Sequence, residues 1–234
     1  MIKVENIETY GWEAAIRGMR NPMNSWANSD SYNLDKEPIK GCGTTFQIGP
    51  NDMKLAKSLR NGGSDDRKYL RQIFVSMDIT APLYWWKEMD QYKVSTVTNS
   101  CSTMHKLGSR DLTIDDFSHE FLLQDSANCL LDIINKINWY RRLYASEEDP
   151  LARKCYWEQM IQLLPSSYNQ KRTWTANYEV LINIFHARRT HKLPEWKDMC
   201  RAIERMPYGS ELILRENEPS MFEKPIFSNS AKTK

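Results

Sequence analysis

Two stretches of this chain carry residue types that do chemistry at workable spacing. Val94 to Thr103 is dense in hydroxyl and amide side chains, with a thiol at Cys101 and a cation just before it at Lys93. Such a segment cradles phosphate through successive backbone N–H groups, or serves as turn-rich surface. Lys93 adds a point charge rather than a fork. The second stretch holds Asn177, Asn183 and Arg188 within an apolar-periodic run. On one helix, Asn177 and Arg188 lie close to three turns apart and share a face with Leu181 and Phe185, while Asn183 points elsewhere. Asn177 reads as a ligand contact or a helix cap. Arg188 reads as a ligand contact or a cation favoured at a helix C-terminus. Lys171-Arg172 and Arg188-Arg189 with Lys192 are basic clusters, either solvated faces or contacts to an anion.

Other residues offer less. His186 and His191 are five apart, which is not a metal-binding pair on a helix. Gly41-Cys42-Gly43 lacks a complete dinucleotide motif. Cys42, Cys101, Cys129, Cys155 and Cys200 are scattered without C-x-x-C spacing, which points to reduced thiols rather than a disulfide frame or zinc. Trp85, Trp86 and Trp174 read as core anchors.

The elements that must position these groups follow from pattern. Ile2 to Ile7 alternates and reads as a strand, and Gly11 to Met19 as a helix stopped before Pro22. Asn24 to Gly43 reads as a long loop and Thr44 to Ile48 as a short strand. Asn51-Asp52 caps a helix through Leu59, and Ser64-Asp65-Asp66 caps another over Arg67 to Gln72. Ile73 to Ile79 alternates as a strand. Pro82 opens a helix from Leu83 to Tyr92, and Val94 to Ser102 reads as a loop. Thr113-Ile-Asp-Asp resembles a capping box with Asp in place of Glu. Helices are predicted over Ser126 to Tyr144, Pro150 to Leu164, Thr175 to Arg188 and Pro194 to Arg205, followed by a polar tail that frays over Ser228 to Lys234. Helix therefore dominates, with a minor sheet.

The 234 residues suit one large domain, or one with an appended lobe. A 41% hydrophobic and 26% charged composition is that of a soluble globular protein. A net charge of +2 gives no footprint for nucleic acid. No apolar run approaches the roughly 18 residues that span a membrane, and the first residues lack a signal-peptide core. These features predict a cytoplasmic protein.

Order and spacing of the two segments resemble the flavin-dependent thymidylate synthases. That family places an Arg-His-Arg, then Ser, Asn, Ser and Arg-Tyr, after a strand, an Ala-Pro and a helix. Here Ala81-Pro82 follows the strand, and ungapped counting puts Gln91, Tyr92 and Lys93 at the Arg-His-Arg. Thr98 and Asn99 fall on the signature Asn and its Glu neighbour, Cys101 on the Ser, and Thr103 and Met104 on the closing Arg-Tyr. The second segment matches more closely, with Leu164-Pro165, Trp174-Thr175, Asn177, Leu181, Asn183 and Arg188 at family positions. Glu179 and Ile161 stand where the family has a flavin-binding and a phosphate-binding Arg. The pattern covers roughly residues 67–208.

The resemblance implies an α+β fold, a helix-rich domain with a small central sheet, running as one domain over 1–234 with a tail from 210. It implies reductive methylation of dUMP to dTMP with FAD, NADPH and methylenetetrahydrofolate, in a homotetramer. Gln91, Tyr92, Lys93, Asn177 and Asn183 would then contact flavin. Glu88, Asn99, Ser100, Cys101, Ser102 and Arg188 would contact the nucleotide, with Arg188 polarising the pyrimidine. The altered signature leaves two other outcomes: a related pyrimidine-nucleotide enzyme, or a non-catalytic descendant that binds a nucleotide or a protein.

Overall fold

A computed structural model describes residues 2–34, 44–215 and 217–222. Gly41-Cys42-Gly43 and the tail expected over Ser228–Lys234 lie outside the described residues. In chain order the elements are β1 (Lys3–Tyr10), α1 (Trp12–Met19), β2 (Tyr32–Asn33), β3 (Phe46–Gln47), α2 (Pro50–Asn61), β4 (Phe74–Pro82), α3 (Leu83–Met89), β5 (Val97–Ser100), α4 (Thr103–Lys106), α5 (Gln124–Ser146), α6 (Pro150–Leu163), β6 (Asn169–Asn177), α7 (Tyr178–Arg188), α8 (Pro194–Glu204) and α9 (Gly209–Leu212). The class is α+β, helix-rich with a small antiparallel sheet, as expected. Among the described residues no helix is long and apolar enough to cross a membrane.

The chain divides into two compact units. The first takes Met1–Tyr10 and Phe74–Val180. Its antiparallel sheet runs in the order β1-β4-β6-β5, so β5 is an edge. On β4, Val75, Met77, Ile79 and Ala81 point inward, alternating with Ser76, Asp78 and Thr80. Period-two burial of this kind fixes the register, because a one-residue slip would expose the whole apolar set. Opposite β4, Gln170, Trp174 and Ala176 of β6 are buried. Trp86, 1% exposed, donates its indole N–H to the Gln170 carbonyl at 3.0 Å and ties α3 to that strand. The pair α5 and α6 encloses its own apolar cluster around Phe117, Ile134, Ile137 and Met160. Asp149 caps α6 by accepting the N–H groups of Leu151 and Ala152.

The second unit takes Gly11–Ile73 and Leu181–Lys234. Its core includes Trp12, Tyr69, Phe185, Trp196 and Ile203. Gly11 precedes α1 at φ 85°, and a Cβ there would stand 2.1 Å from the Gln72 carbonyl oxygen, so only glycine fits. Asp52 is fully buried against Arg20, its Oδ1 accepting Arg20 Nε at 2.5 Å, while Oδ2 accepts Ser29, Ser31 and two backbone N–H groups.

Several local expectations change. Val94 to Ser102 is not all loop: Val97–Ser100 forms β5, because its backbone pairs with β6 although all four side chains are exposed. Thr175 does not begin a helix; the strand runs to Asn177 and α7 starts at Tyr178. Ala81-Pro82 ends β4, and the helix after it stops at Met89 rather than Tyr92. Residues 32–33 pair with 46–47, so the loop from Asn24 is interrupted. Asn51 and Asp52 do not cap α2; Pro50 opens it and the Asp30 carboxylate accepts both their N–H groups at 2.8 and 3.1 Å. Arg67 to Gln72 is 3-10 rather than α-helix. The tail is not wholly polar, since Leu212 and Ile213 are buried.

Candidate functional site

In the first unit, α3 ends in a tight reversal. Gln91 N–H bonds the Glu88 carbonyl at 3.2 Å, Tyr92 N–H that of Met89 at 3.0 Å, and Lys93 N–H that of Gln91 at 3.1 Å. Thr96 Oγ1 then donates to the Tyr92 carbonyl at 2.6 Å. The structure thus gathers Glu88, Gln91, Tyr92 and Lys93 on one turn, with Gln91 and Lys93 exposed. Asn99 and Ser100 lie on β5 opposite Thr173 and Arg172. Cys101 is exposed and its N–H continues the pairing to the Lys171 carbonyl at 2.9 Å. An edge strand leaves alternate N–H groups unpaired on its outer side, which is where an anion would be met.

Arg172, marked in the sequence as part of a basic cluster that is either a solvated face or an anion contact, joins these two groups, whereas Gln170 and Asp90 were missed as site residues. Its Nη1 donates to Asp90 Oδ1 at 2.9 Å at the end of α3, while its backbone stands opposite Ser100. Its guanidinium lies 4.2 Å over the Trp86 ring. Its Nε donates to Gln170 Oε1 at 2.9 Å. Gln170 in turn donates from Nε2 to the Cys101 carbonyl at 2.8 Å and Thr103 Oγ1 at 3.1 Å. One buried amide therefore holds both the cation and the segment after β5. The available signal was alternation: Gln170, Arg172, Trp174 and Ala176 share one face at period two. Beside this, Lys171 pairs with Asp78 at 3.1 Å. Hydrogen bonds from Thr173, Asn6 and Lys171 hold the Asp78 carboxyl at about 2.

Ser102 lies on the rim of an open cleft of about 630 Å³ whose walls include Met104, Tyr144 and Trp157. Trp157 donates its indole N–H to the Met104 carbonyl at 3.2 Å, fixing that wall. Volumes of this size suit small organic ligands.

Asn177 belongs to the strand end, not to the helix face expected with Arg188. Its Oδ1 accepts the Val180 N–H at 3.0 Å, so it caps α7. That bond uses the amide oxygen, and the amide NH₂ is the side chain's donor. Glu179 is buried.

In the second unit, Arg188 is the last residue of α7 and its guanidinium lies 4.6 Å over the buried ring of Trp196. Stacking engages the flat face of the guanidinium and orients its in-plane fork, the part that grips carbonyls and anions. Asn183 is exposed on the helix surface, away from the buried Leu181 and Phe185. Cys200 is buried, and desolvation pushes its thiol up to about 12, so it is inert. Among the described residues no group of three or more His, Cys, Asp or Glu could hold a metal.

This arrangement was compared with known proteins. The crystal structure of thymidylate synthase X from Helicobacter pylori with FAD and dUMP matches with a TM-score of 0.63, covering 91% of this chain and 97% of that one at 16% identity. This chain has the thymidylate synthase X fold. A second structure, the flavin-dependent thymidylate synthase from Helicobacter pylori complexed with FAD and dUMP, matches at 0.63 over 90% of this chain and 97% of its own, again at 16% identity. No protein-family model matches the chain, and no curated protein does.

Proposed function

We propose that this protein is a divergent flavin-dependent thymidylate synthase, converting dUMP to dTMP with FAD, NADPH and methylenetetrahydrofolate as a cytoplasmic homotetramer. The observation that carries the reading is the fold match along nine-tenths of the chain to structures holding FAD and dUMP. The residues present suit such ligands in part. A strand edge with hydroxyls, a thiol and two nearby cations fits a phosphate. Asn177 and Asn183 offer amides to a flavin, with Gln91, Tyr92 and Lys93 on their turn. When bound, the flavin supplies the hydride. Arg188, oriented by Trp196, polarises the pyrimidine by gripping a ring carbonyl. Arg172 supplies guanidinium charge beside Ser100 and Cys101 that the altered signature lacks, aided by Lys93. Glu88, Asn99 and Ser102 complete the nucleotide contacts.

The test is formation of dTMP from dUMP with reduced flavin and methylenetetrahydrofolate, with Arg188→Ala as control. Turnover in the wild type that is lost in the variant supports the reading. A folded, flavin-loaded protein without turnover removes the synthase claim. One observation favours a second reading, a nucleotide-binding descendant without flavin chemistry: two uncharged residues, Gln91 and Tyr92, and the buried Glu179 occupy positions where the family carries flavin-binding cations. Binding of dUMP without retained FAD would select it.

A further inference from the structure

The open cleft of about 630 Å³ beside Ser102 lies wholly within the first unit, between the segment after β5 and the α5–α6 pair. Leu107, 1% exposed, roots that segment in the apolar cluster of the two helices. Gln170 holds the start of the same segment through the Cys101 carbonyl and Thr103 Oγ1. The walls are fixed as well. Trp157 on α6 is tethered by its indole N–H to the Met104 carbonyl at 3.2 Å. Tyr144 on α5 carries the Arg153 guanidinium 4.7 Å over its ring. Side chains held in place before a ligand arrives have less freedom to lose on binding.

Two ring systems and the half-exposed Met104 thioether thus meet water on a concave surface. Covering them is favourable for any apolar group. An aromatic ligand gains more than an aliphatic one, through offset or edge-to-face stacking on Tyr144 and Trp157 and through sulfur contact at its ring edge. A bicyclic ring has the area to meet both walls. Ser102 and Ser109 also line the cleft, and a hydroxyl both donates and accepts, which suits ring nitrogens and exocyclic amino or carbonyl groups. Among the described residues no charged side chain lines the cleft, so a charged ring would lose hydration without an answering partner. Gly108 keeps the space open, since a Cβ there would stand 3.4 and 3.7 Å from ring carbons of Tyr144. Its φ is not positive, so a side chain at that position carries no backbone strain. The volume falls within the roughly 300–1,000 Å³ of small-molecule sites.

We infer that this cleft binds an uncharged bicyclic heteroaromatic molecule of purine size. The proposal does not depend on the flavin reading. The test titrates the full chain, without flavin and at neutral pH, with adenine and with caffeine, and with cyclohexanol as a non-planar control. Calorimetry follows binding, and the Trp157 indole N–H resonance, identified by its loss in Trp157→Phe, locates it. Saturable one-site binding of at least one of the two purines is expected, with the Trp157 signal shifting and cyclohexanol at least tenfold weaker. Gly108→Val, which fills the cleft, should weaken purine binding at least tenfold. Should that variant misfold, Gly108→Ala takes its place, with an expected loss of at least threefold. Four results overturn the proposal: no saturable binding of either purine, binding that leaves the Trp157 signal in place, equal affinity for cyclohexanol, or unchanged affinity in the folded variant. FAD retention and dTMP formation are scored separately, so failure of the synthase reading leaves this result standing.

Discussion

Replacing Gln170 by alanine is predicted to loosen two parts of the candidate site at once. The side chain is 8% exposed and makes three hydrogen bonds: two from Nε2, to the Cys101 carbonyl and Thr103 Oγ1, and one accepted from Arg172 Nε. Neutral bonds contribute about 0.5–1.5 kcal/mol each and one to a charged group about 1.5–3 kcal/mol. Water can reach the exposed Cys101 segment and replace part of this, so the expected loss is about 2–3 kcal/mol. For a chain of this size that lowers the melting temperature by roughly 5–10 °C. Gln170→Glu separates the contributions. It keeps an acceptor for Arg172 but turns a carboxylate toward the Cys101 carbonyl, so it should retain the cation's position and lose the segment's. Urea titration and dUMP binding on wild type, Gln170→Ala and Gln170→Glu would read both effects. Alanine should weaken dUMP more than glutamate does. An alanine variant within about 0.5 kcal/mol of wild type, with unchanged dUMP affinity, would refute this network as the organiser of the site.

Asp52→Ala should cost about 3–5 kcal/mol by urea denaturation, because it strands a buried Arg20. Asn138→Ala removes the Oδ1 and Nδ2 bonds to the Leu112 backbone at 2.7 and 2.9 Å and should cost about 2–4 kcal/mol on the same assay. Burial, with Arg215 and Arg60, holds His186 below its ordinary 6.5 despite Glu218. The folded state then binds a proton less readily than the unfolded state, so stability falls as pH drops below about 6.5, and His186→Gln should flatten that slope. Arg188→Ala should abolish dUMP turnover while lowering stability by only about 0.5–2 kcal/mol, the worth of its stacking on Trp196, which kinetics and thermal melts would separate.

Strong periodicity was legible in the chain. The alternation of Ile73 to Ile79 and the apolar stripe of Leu130, Ile134 and Ile137 mark β4 and α5, and the burial of Trp85, Trp86 and Trp174 follows from their size. What escaped was structure set by partners rather than by side-chain pattern. Val97–Ser100 is exposed throughout and polar after Val97, and pairing with β6 makes it a strand. Asn169–Asn177 runs directly into α7, so its last three residues were taken into a helix expected from Thr175, which misplaced Asn177. Arg172 read as either a solvated charge or an anion contact, because nothing local shows that Asp90, 82 residues earlier, and the Trp86 ring would receive it. The positions carried by resemblance fell on two local groupings in the first unit and on separate faces of α7, but charge compensation needed coordinates.

The most direct measurement is the visible absorption spectrum of the purified protein before and after incubation with FAD and desalting. A flavin band retained near stoichiometric amount is the predicted result. A folded sample that loses all flavin on desalting would contradict the synthase account and leave a thymidylate synthase X fold without its cofactor.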